Sequence, residues 1–204
     1  MAGRLLYLVR HGAYDPDPAD PLHGGSLNDA GVAQVSALGE RLSGVRFSAM
    51  HHSTALRAVE TADVLAFTLP AVPRFGDDLL RECIPTVPDD GLLTPSQRDF
   101  FARLPADVRR EGPHQARAAV ERYGVPSDTD ERVLLVTHGN LINFFVASAL
   151  EAPPHGWLRP LDYHCGLTVI RYADTVPPRL ITYNDTGHLP ADGRGLDYPA
   201  ELRI

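Results

Sequence analysis

Leu5-Leu6-Tyr7-Leu8-Val9-Arg10-His11-Gly12 is an unbroken apolar run that ends in a cation, an imidazole and a glycine. A strand buried on both faces reads this way, and such strands belong to parallel sheets covered by helices. Arg132 to Thr137 is a second run of the same form, followed by His138-Gly139. In open α/β sheets ligands bind beyond the carboxyl ends of the strands. Both histidines stand at that position.

Between and beyond these runs the pattern alternates. Ala13 to Ser26 is rich in Pro, Asp and Gly and reads as a loop. Asn28 is a good N-cap for an amphipathic helix through Val32, Val35, Leu38 and Leu42, and Gly44 follows where helices stop. Phe47 to His51 predicts a short strand. Thr54 to Phe67 predicts a helix with Ala58, Ala62 and Leu65 inward, and Pro70 and Pro73 precede another short extended piece. Cys83 to Thr94 is dominated by Pro and Asp and reads as irregular. Ser96–Leu104, His114–Tyr123 and Leu141–Leu150 read as helices, and Gly166–Tyr172 and Arg179–Tyr183 as strands near a sheet edge. The stretch after Pro190 reads as loosely ordered. Strand and helix alternate, so the expected fold is a three-layer α/β/α sandwich with a mainly parallel central sheet. One domain over residues 1–204 is expected, with a lid-like excursion around 83–123.

Composition removes several functions. The 204 residues are 44% hydrophobic and carry a net charge of −7, which argues against a nucleic-acid surface. No signal-peptide pattern and no bilayer-length apolar run is present, so a cytoplasmic location without membrane contact is expected. Cys83 and Cys165 make no disulfide framework and read as reduced thiols. All 19 basic side chains are arginine. The lysine of a phosphate-binding loop, a Schiff base and the kinase lysine are therefore excluded, whereas arginine forks suit phosphate.

Four short motifs carry the candidate chemistry. They are Leu8–Gly12, Ser53-Thr54-Ala55-Leu56-Arg57-Ala58, Leu80-Arg81-Glu82 and Val136–Gly139. Each alone has an ordinary structural reading: a loop Arg-His-Gly, a solvated helix arginine, a surface carboxylate, a capped loop histidine. Together they supply what transfer of a phosphate dianion requires: an in-line nucleophile, cations for the equatorial oxygens and a proton for the leaving alcohol. His11, neutral and with one ring nitrogen fixed by a hydrogen bond, is the candidate nucleophile. Arg10 and Arg57 would grip the non-bridging oxygens, and His138 would donate to them. Glu82 would protonate the leaving oxygen and later activate water.

These residues resemble the histidine phosphatase, or phosphoglycerate-mutase-like, superfamily. Its Arg-His-Gly matches Arg10, His11 and Gly12. Its Ser-x-x-x-Arg-Ala-x-x-Thr-Ala matches Ser53, Arg57, Ala58, Thr61 and Ala62. Its acid matches Glu82, and its His-Gly matches His138 and Gly139. The chain most resembles the mitochondrial phosphoglycerate-mutase-like serine/threonine protein phosphatase branch. That likeness rests on Arg10–Tyr14, Leu79–Glu82 with Pro85 and Pro88, His138–Ile142, Trp157–Arg159 and Asn184–Gly187. That branch's anchor and multimerisation segment have no counterpart in the sequence, so its membrane attachment and large assemblies are not expected. A homodimer is the assembly allowed for. The resemblance implies a phosphomonoesterase that uses phosphohistidine and no cofactor or metal, on a phosphorylated small molecule or a phosphoprotein. It adds Gly139, Asn140 and His164 to the substrate-binding set.

Three rivals stay open: a phosphoglycerate mutase, a metal-dependent hydrolase and a silent phosphoryl-binding module. Mutases usually carry Glu where this chain has Ala13, and they have a longer, more basic insertion. No convincing metal spacing exists. Asp15, Asp17 and Asp20 lack the glycine and distal Glu of a calcium loop. His51 and His52 are strand neighbours that point apart. His23, His114, His155 and His188 are scattered. Arg98, Arg103, Arg109 and Arg110 in the excursion are candidates to meet an anionic substrate, and Phe100-Phe101 to pack core or lid.

Overall fold

The computed structural model describes residues 2–20 and 24–203. Strand β1 (Gly3–Arg10) is followed by a two-stranded ribbon of β2 (Tyr14–Asp15) and β3 (Ser26–Leu27). Helix α1 (Asp29–Leu42), strand β4 (Ala49–His52), helix α2 (Leu56–Thr68) and strand β5 (Arg74–Gly76) follow. The excursion carries α3 (Pro95–Arg103) and α4 (Ala106–Tyr123). The chain then runs through β6 (Asp130–Thr137), α5 (Gly139–Ala149), β7 (Leu167–Ala173) and β8 (Val176–Asp185). The main sheet has the order β5-β4-β6-β1-β7-β8. Pairing is parallel from β5 through β1 and antiparallel at β7 with both of its neighbours.

The apolar run explains why β1 lies inside the sheet. Leu6, Leu8 and Val9 are fully buried, with Leu6 and Leu8 in the core under α4 and α5 and Val9 in the core under α1 and α2. Two cores on two faces make three layers, as expected. Asn28 caps α1 by accepting from the Gly31 amide at 3.0 Å, a contact typically worth about 1 kcal/mol. Val32 departs from the expected apolar face and is 42% exposed, while Gly31, Gln34 and Gly39 take its place on the buried side. Close packing demands this: a methyl on Gly31 would stand 1.9 Å from the Ala13 carbonyl, and one on Gly12 2.9 Å from the Gly31 carbonyl.

Two expectations about the ends of elements change. Helix α4 starts well before His114, although Pro113 lies inside it. A proline clashes with the Cβ of the residue before it, and Gly112 has none. Gly112 also lets the excursion approach, since a methyl there would meet the Ile84 carbonyl at 2.5 Å. The stretch after Pro190, read as loose, is ordered by hydrogen bonds rather than by an apolar face. Gln34 donates to the Gly193 carbonyl at 2.7 Å, Tyr163 to the Leu202 carbonyl, and Arg203 to the Tyr198 carbonyl at 2.8 Å.

The excursion packs against α5 and Trp157 through a small core of Ile84, Leu93, Phe101, Ala147 and Trp157. Phe101 is buried in it and Phe100 is exposed. A capping box between Thr94 and Gln97 starts α3.

Candidate active site

The register of the sheet brings the motifs together. Arg10 pairs with Thr137 across β1 and β6, so His11 and His138 leave adjacent strands at one level. His52 pairs with Val136, so Ser53 leaves β4 beside them. The amides of His11 and Ser53 continue the ladders, donating to the Thr137 carbonyl at 3.0 Å and the Val136 carbonyl at 2.9 Å.

His11 is 3% exposed and points Nδ1 at the Gly12 carbonyl 2.9 Å away. A carbonyl only accepts, so Nδ1 carries the proton and Nε2 carries the lone pair. Arg57 Nε donates to that lone pair at 3.0 Å. Burial first, then His138, Arg10, His164 and Arg57, hold the His11 pKa well below the usual imidazole value. The ring is neutral at neutral pH, as a nucleophile must be.

Arg57 is itself 3% exposed, so the solvated-face reading of it fails. It lies in the first turn of α2, where its Nη2 donates to His138 Nδ1 at 3.1 Å and its Nη1 to the Gly24 carbonyl at 3.1 Å. The guanidinium carbon sits 4.7 Å from the Tyr14 ring centre. A guanidinium cannot accept, so His138 Nδ1 is a lone pair and its Nε2–H donates to Ser53 Oγ at 2.9 Å. In the resting site His138 therefore turns an acceptor towards Arg57, where the sequence predicts a donor towards phosphate. His138 is also the residue before the first turn of α5, whose amides of Gly139 and Asn140 begin an anion-attracting helix end.

Arg10 donates to the Asp162 carbonyl and, at 2.7 Å, to Asp197 Oδ2. Glu82 is half-buried on the loop after Leu80. That loop is held by Thr137 Oγ1 donating to the Leu80 carbonyl at 2.7 Å and by Gln115 Nε2 donating to the Arg81 carbonyl at 2.7 Å. Burial pushes the Glu82 pKa up to about 7, against the pull of Arg10, of Arg57 and of the Cys83 and Asn140 amides. Those amides and arginines place the carboxyl beside the α5 terminus and the two cations. A carboxyl that titrates near neutrality can give a proton and take one back. His164 is 4% exposed, with its ring centre 5.2 Å from that of His11.

Arg10, His11, Arg57, Glu82, His138, Gly139, Asn140 and His164 thus share one corner of the molecule. Sequence reading assigned no part to Ser53 Oγ, Tyr14, Asp162 or Asp197. Thr61, quoted only as a motif match, accepts from the Gly12 amide at 3.1 Å and so ties α2 to the histidine loop. The hydroxyl of Ser53 carried a signal, since it stands in the same motif as Arg57. Asp197 carried none.

Two clefts open on Glu82. The larger, about 430 Å³, is lined by Asp77, Asp78, Asp107, Glu111, Arg81 and Gln115 among others. The smaller, about 220 Å³, has Arg10, Asn140, Trp157, Asp162 and Tyr198 in its wall. None of Arg98, Arg103, Arg109 and Arg110 lines either cleft. Arg98 instead holds the Asp90 and Leu93 carbonyls, and Arg110 pairs with Glu111 at 2.7 Å. The excursion brings Asp107 and Glu111 to the cleft at Glu82, where the sequence suggested cations.

Among the described residues no group of three or more His, Cys, Asp or Glu side chains is placed to hold a metal ion. Asp15 accepts from Asn28 and Asp17 from the Ala19 amide, so both serve the loop. His23 lies outside the described residues. No helix among them is long and apolar enough to cross a membrane.

Known proteins resemble this chain in sequence and in fold. The sequence pattern of the histidine phosphatase superfamily (branch 1) matches residues 6–186. The serine/threonine-protein phosphatase Pgam5, mitochondrial, of Caenorhabditis briggsae is 34% identical over 198 residues, covering 92% of this chain and 65% of that protein. The PGAM5 protein of Rattus norvegicus is 31% identical, covering 94% and 66%. The chain thus spans just under two thirds of the length of these relatives. Among solved structures, Bacillus stearothermophilus YhfR superposes with a TM-score of 0.68 at 25% identity, covering 91% of this chain and 98% of that one. Phosphoglycerate mutase from Plasmodium falciparum superposes with a TM-score of 0.61 at 26% identity, covering 93% and 96%. The relatives named mitochondrial overturn the cytoplasmic location expected from the sequence. That expectation rested on the want of a secretory signal and of a spanning run, and neither chooses among compartments.

Proposed function

We propose that this chain, which belongs to the histidine phosphatase superfamily (branch 1), hydrolyses phosphate monoesters through a phosphohistidine at His11 Nε2. The observation that carries this reading is Arg57 donating at once to His11 Nε2 and His138 Nδ1. One guanidinium marks the point between the two rings where an anion would sit. Substrate phosphate takes over the Arg57 and Arg10 protons, which frees the Nε2 lone pair. Nε2 forms the P–N bond as the P–O bond breaks, and the Glu82 proton goes to the leaving oxygen. Water then attacks phosphorus, giving its proton to Glu82, and the P–N bond breaks to leave inorganic phosphate and neutral His11.

Hydrolysis is favoured over mutase action. A phosphoglycerate carries a carboxylate beyond its phosphate, and the larger cleft at Glu82 is walled by Asp77, Asp78, Asp107 and Glu111. The named relatives are serine/threonine-protein phosphatases, which makes phosphoserine and phosphothreonine the first substrates to try. Small phosphorylated alcohols are the second.

Positive charge comes from Arg10 and Arg57, so the reaction needs no metal. p-Nitrophenyl phosphate turnover should survive exhaustive chelation, and orthovanadate should inhibit it. Loss on chelation with rescue by a divalent ion would favour a metal-dependent hydrolase. No turnover of any monoester, with vanadate still bound, would favour a silent binding module.

Glu82→Gln should slow phosphorylation of the enzyme by an alkyl phosphate far more than by p-nitrophenyl phosphate, whose phenolate leaves without a proton. Single-turnover measurement is required, because slow dephosphorylation would mask the difference at steady state. The acid form is the donor, and burial pushes the Glu82 pKa up to about 7. The alkyl-phosphate rate in the wild type should therefore fall as pH rises through that value. Equal losses for both substrates in Glu82→Gln would remove Glu82 from the acid role.

A further inference from the structure

We propose that Asp197 is a resident competitor for the phosphoryl group, a carboxylate seated on Arg10 that must leave before Arg10 can grip phosphate with two protons. The proposal rests on Arg10 being a phosphoryl ligand. A guanidinium grips a tetrahedral anion best along one edge, for example with Nε–H and Nη2–H on two oxygens. On Arg10 that edge is half used. Nη2 donates to Asp197 Oδ2 at 2.7 Å, while Nε is buried with no hydrogen-bond partner. Nε faces the start of α5, 3.6 Å from where a methyl on Gly139 would stand. Nη1 is engaged by the Asp162 carbonyl. The free Nε proton thus lies at the helix end that favours an anion.

The other Asp197 oxygen lies 3.5 Å from His164 Nδ1, and the His164 ring is the neighbour of His11. His164 is buried, and neither of its ring nitrogens has a hydrogen-bond partner. Asp197 therefore faces two of the groups that surround the phosphoryl position. A phosphate dianion and an ionised carboxylate side by side in a half-buried site repel each other, so one of them leaves.

Asp197 is built to be the one that moves. It is exposed on its outer side, so it departs into water without crossing a core. Its segment, 190–203, has only short 3₁₀ turns, and besides the Asp197 contacts it is held to the rest of the chain by hydrogen bonds from Gln34 and Tyr163 and by Tyr198, whose hydroxyl meets the Asp162 carbonyl and whose ring lies on Tyr163. Such segments open locally at low cost. The Tyr198 hydroxyl, 3.4 Å from the Asp162 carbonyl, closes the cleft on the same side.

The test is the affinity for inorganic phosphate and orthovanadate, read by calorimetry on the full chain. Asp197→Asn keeps the shape and removes the charge. Asp197→Ser removes the reach to Arg10. Both should bind the two anions about two- to fivefold more tightly than the wild type, the size expected of a partly exposed ion pair. Unchanged or weaker binding in both variants, with the wild type binding normally, overturns the proposal and makes Asp197 an orienting partner of Arg10. Absence of binding in the wild type and both variants overturns the phosphoryl reading of the site with it.

Discussion

His11→Ala should abolish turnover, with kcat falling on the order of 10⁴- to 10⁶-fold, as when a nucleophile is removed from other covalent catalysts. The protein should also lose all labelling by a phosphoryl donor. The wild-type adduct should be labile in acid and stable in base, as a phosphoramidate is and a phosphoserine is not. The Nε2 lone pair of His11 is fixed in direction by the bond of Nδ1–H to the Gly12 carbonyl and is held by a cation that a phosphate can claim. Truncation removes one ring and leaves the β1 ladder intact, so the variant should fold, and circular dichroism would show it. A folded His11→Ala protein with normal activity, or an adduct mapped to another residue, would end the mechanism.

Arg57→Lys should lower kcat/KM by about 10²-fold or more, comparable with loss of one oxyanion donor. An ammonium keeps the charge but cannot reach His11, His138 and the Gly24 carbonyl from one plane. Arg57→Ala adds a second readout. The Arg57 cation helps hold the His11 pKa down. Without it His11 protonates at higher pH, so the acid limb of the kcat/KM profile should move towards neutrality. A mild effect of Arg57→Lys and an unmoved acid limb in Arg57→Ala would make Arg57 a structural residue.

Local chemistry is what a sequence shows, and the parts that were legible follow that line. The apolar run ending at Val9, the Asn28 cap and the inward Ala58, Ala62 and Leu65 all express contacts within one element. The motifs were legible as a site because parallel strands deliver their following residues to one edge. Relations between distant residues were not. Ser53 orients His138 across 85 positions and Asp197 reaches Arg10 across 187, with nothing in spacing to announce either. The excursion arginines misled because charge composition does not say which way a helix turns its charges. Val32 misled because the α1 face is set by the contact of Gly12 with Gly31, which no hydrophobic period records.

The seat of His11 has a consequence for motion. β1 is bonded on both sides, to β6 and β7, in the middle of a six-stranded sheet. Opening free energies rise from near zero at loose segments to the full unfolding free energy at central strands. The backbone carrying His11 belongs to the part that opens last, and so does the Thr137 end of β6 beside it. The stretch around Asp197 belongs to the part that opens first. What must yield to admit a substrate is therefore mechanically separate from what holds the reacting nitrogen. Local opening of the 190–203 segment would leave intact the β1 pairings with β6 and β7 that seat His11.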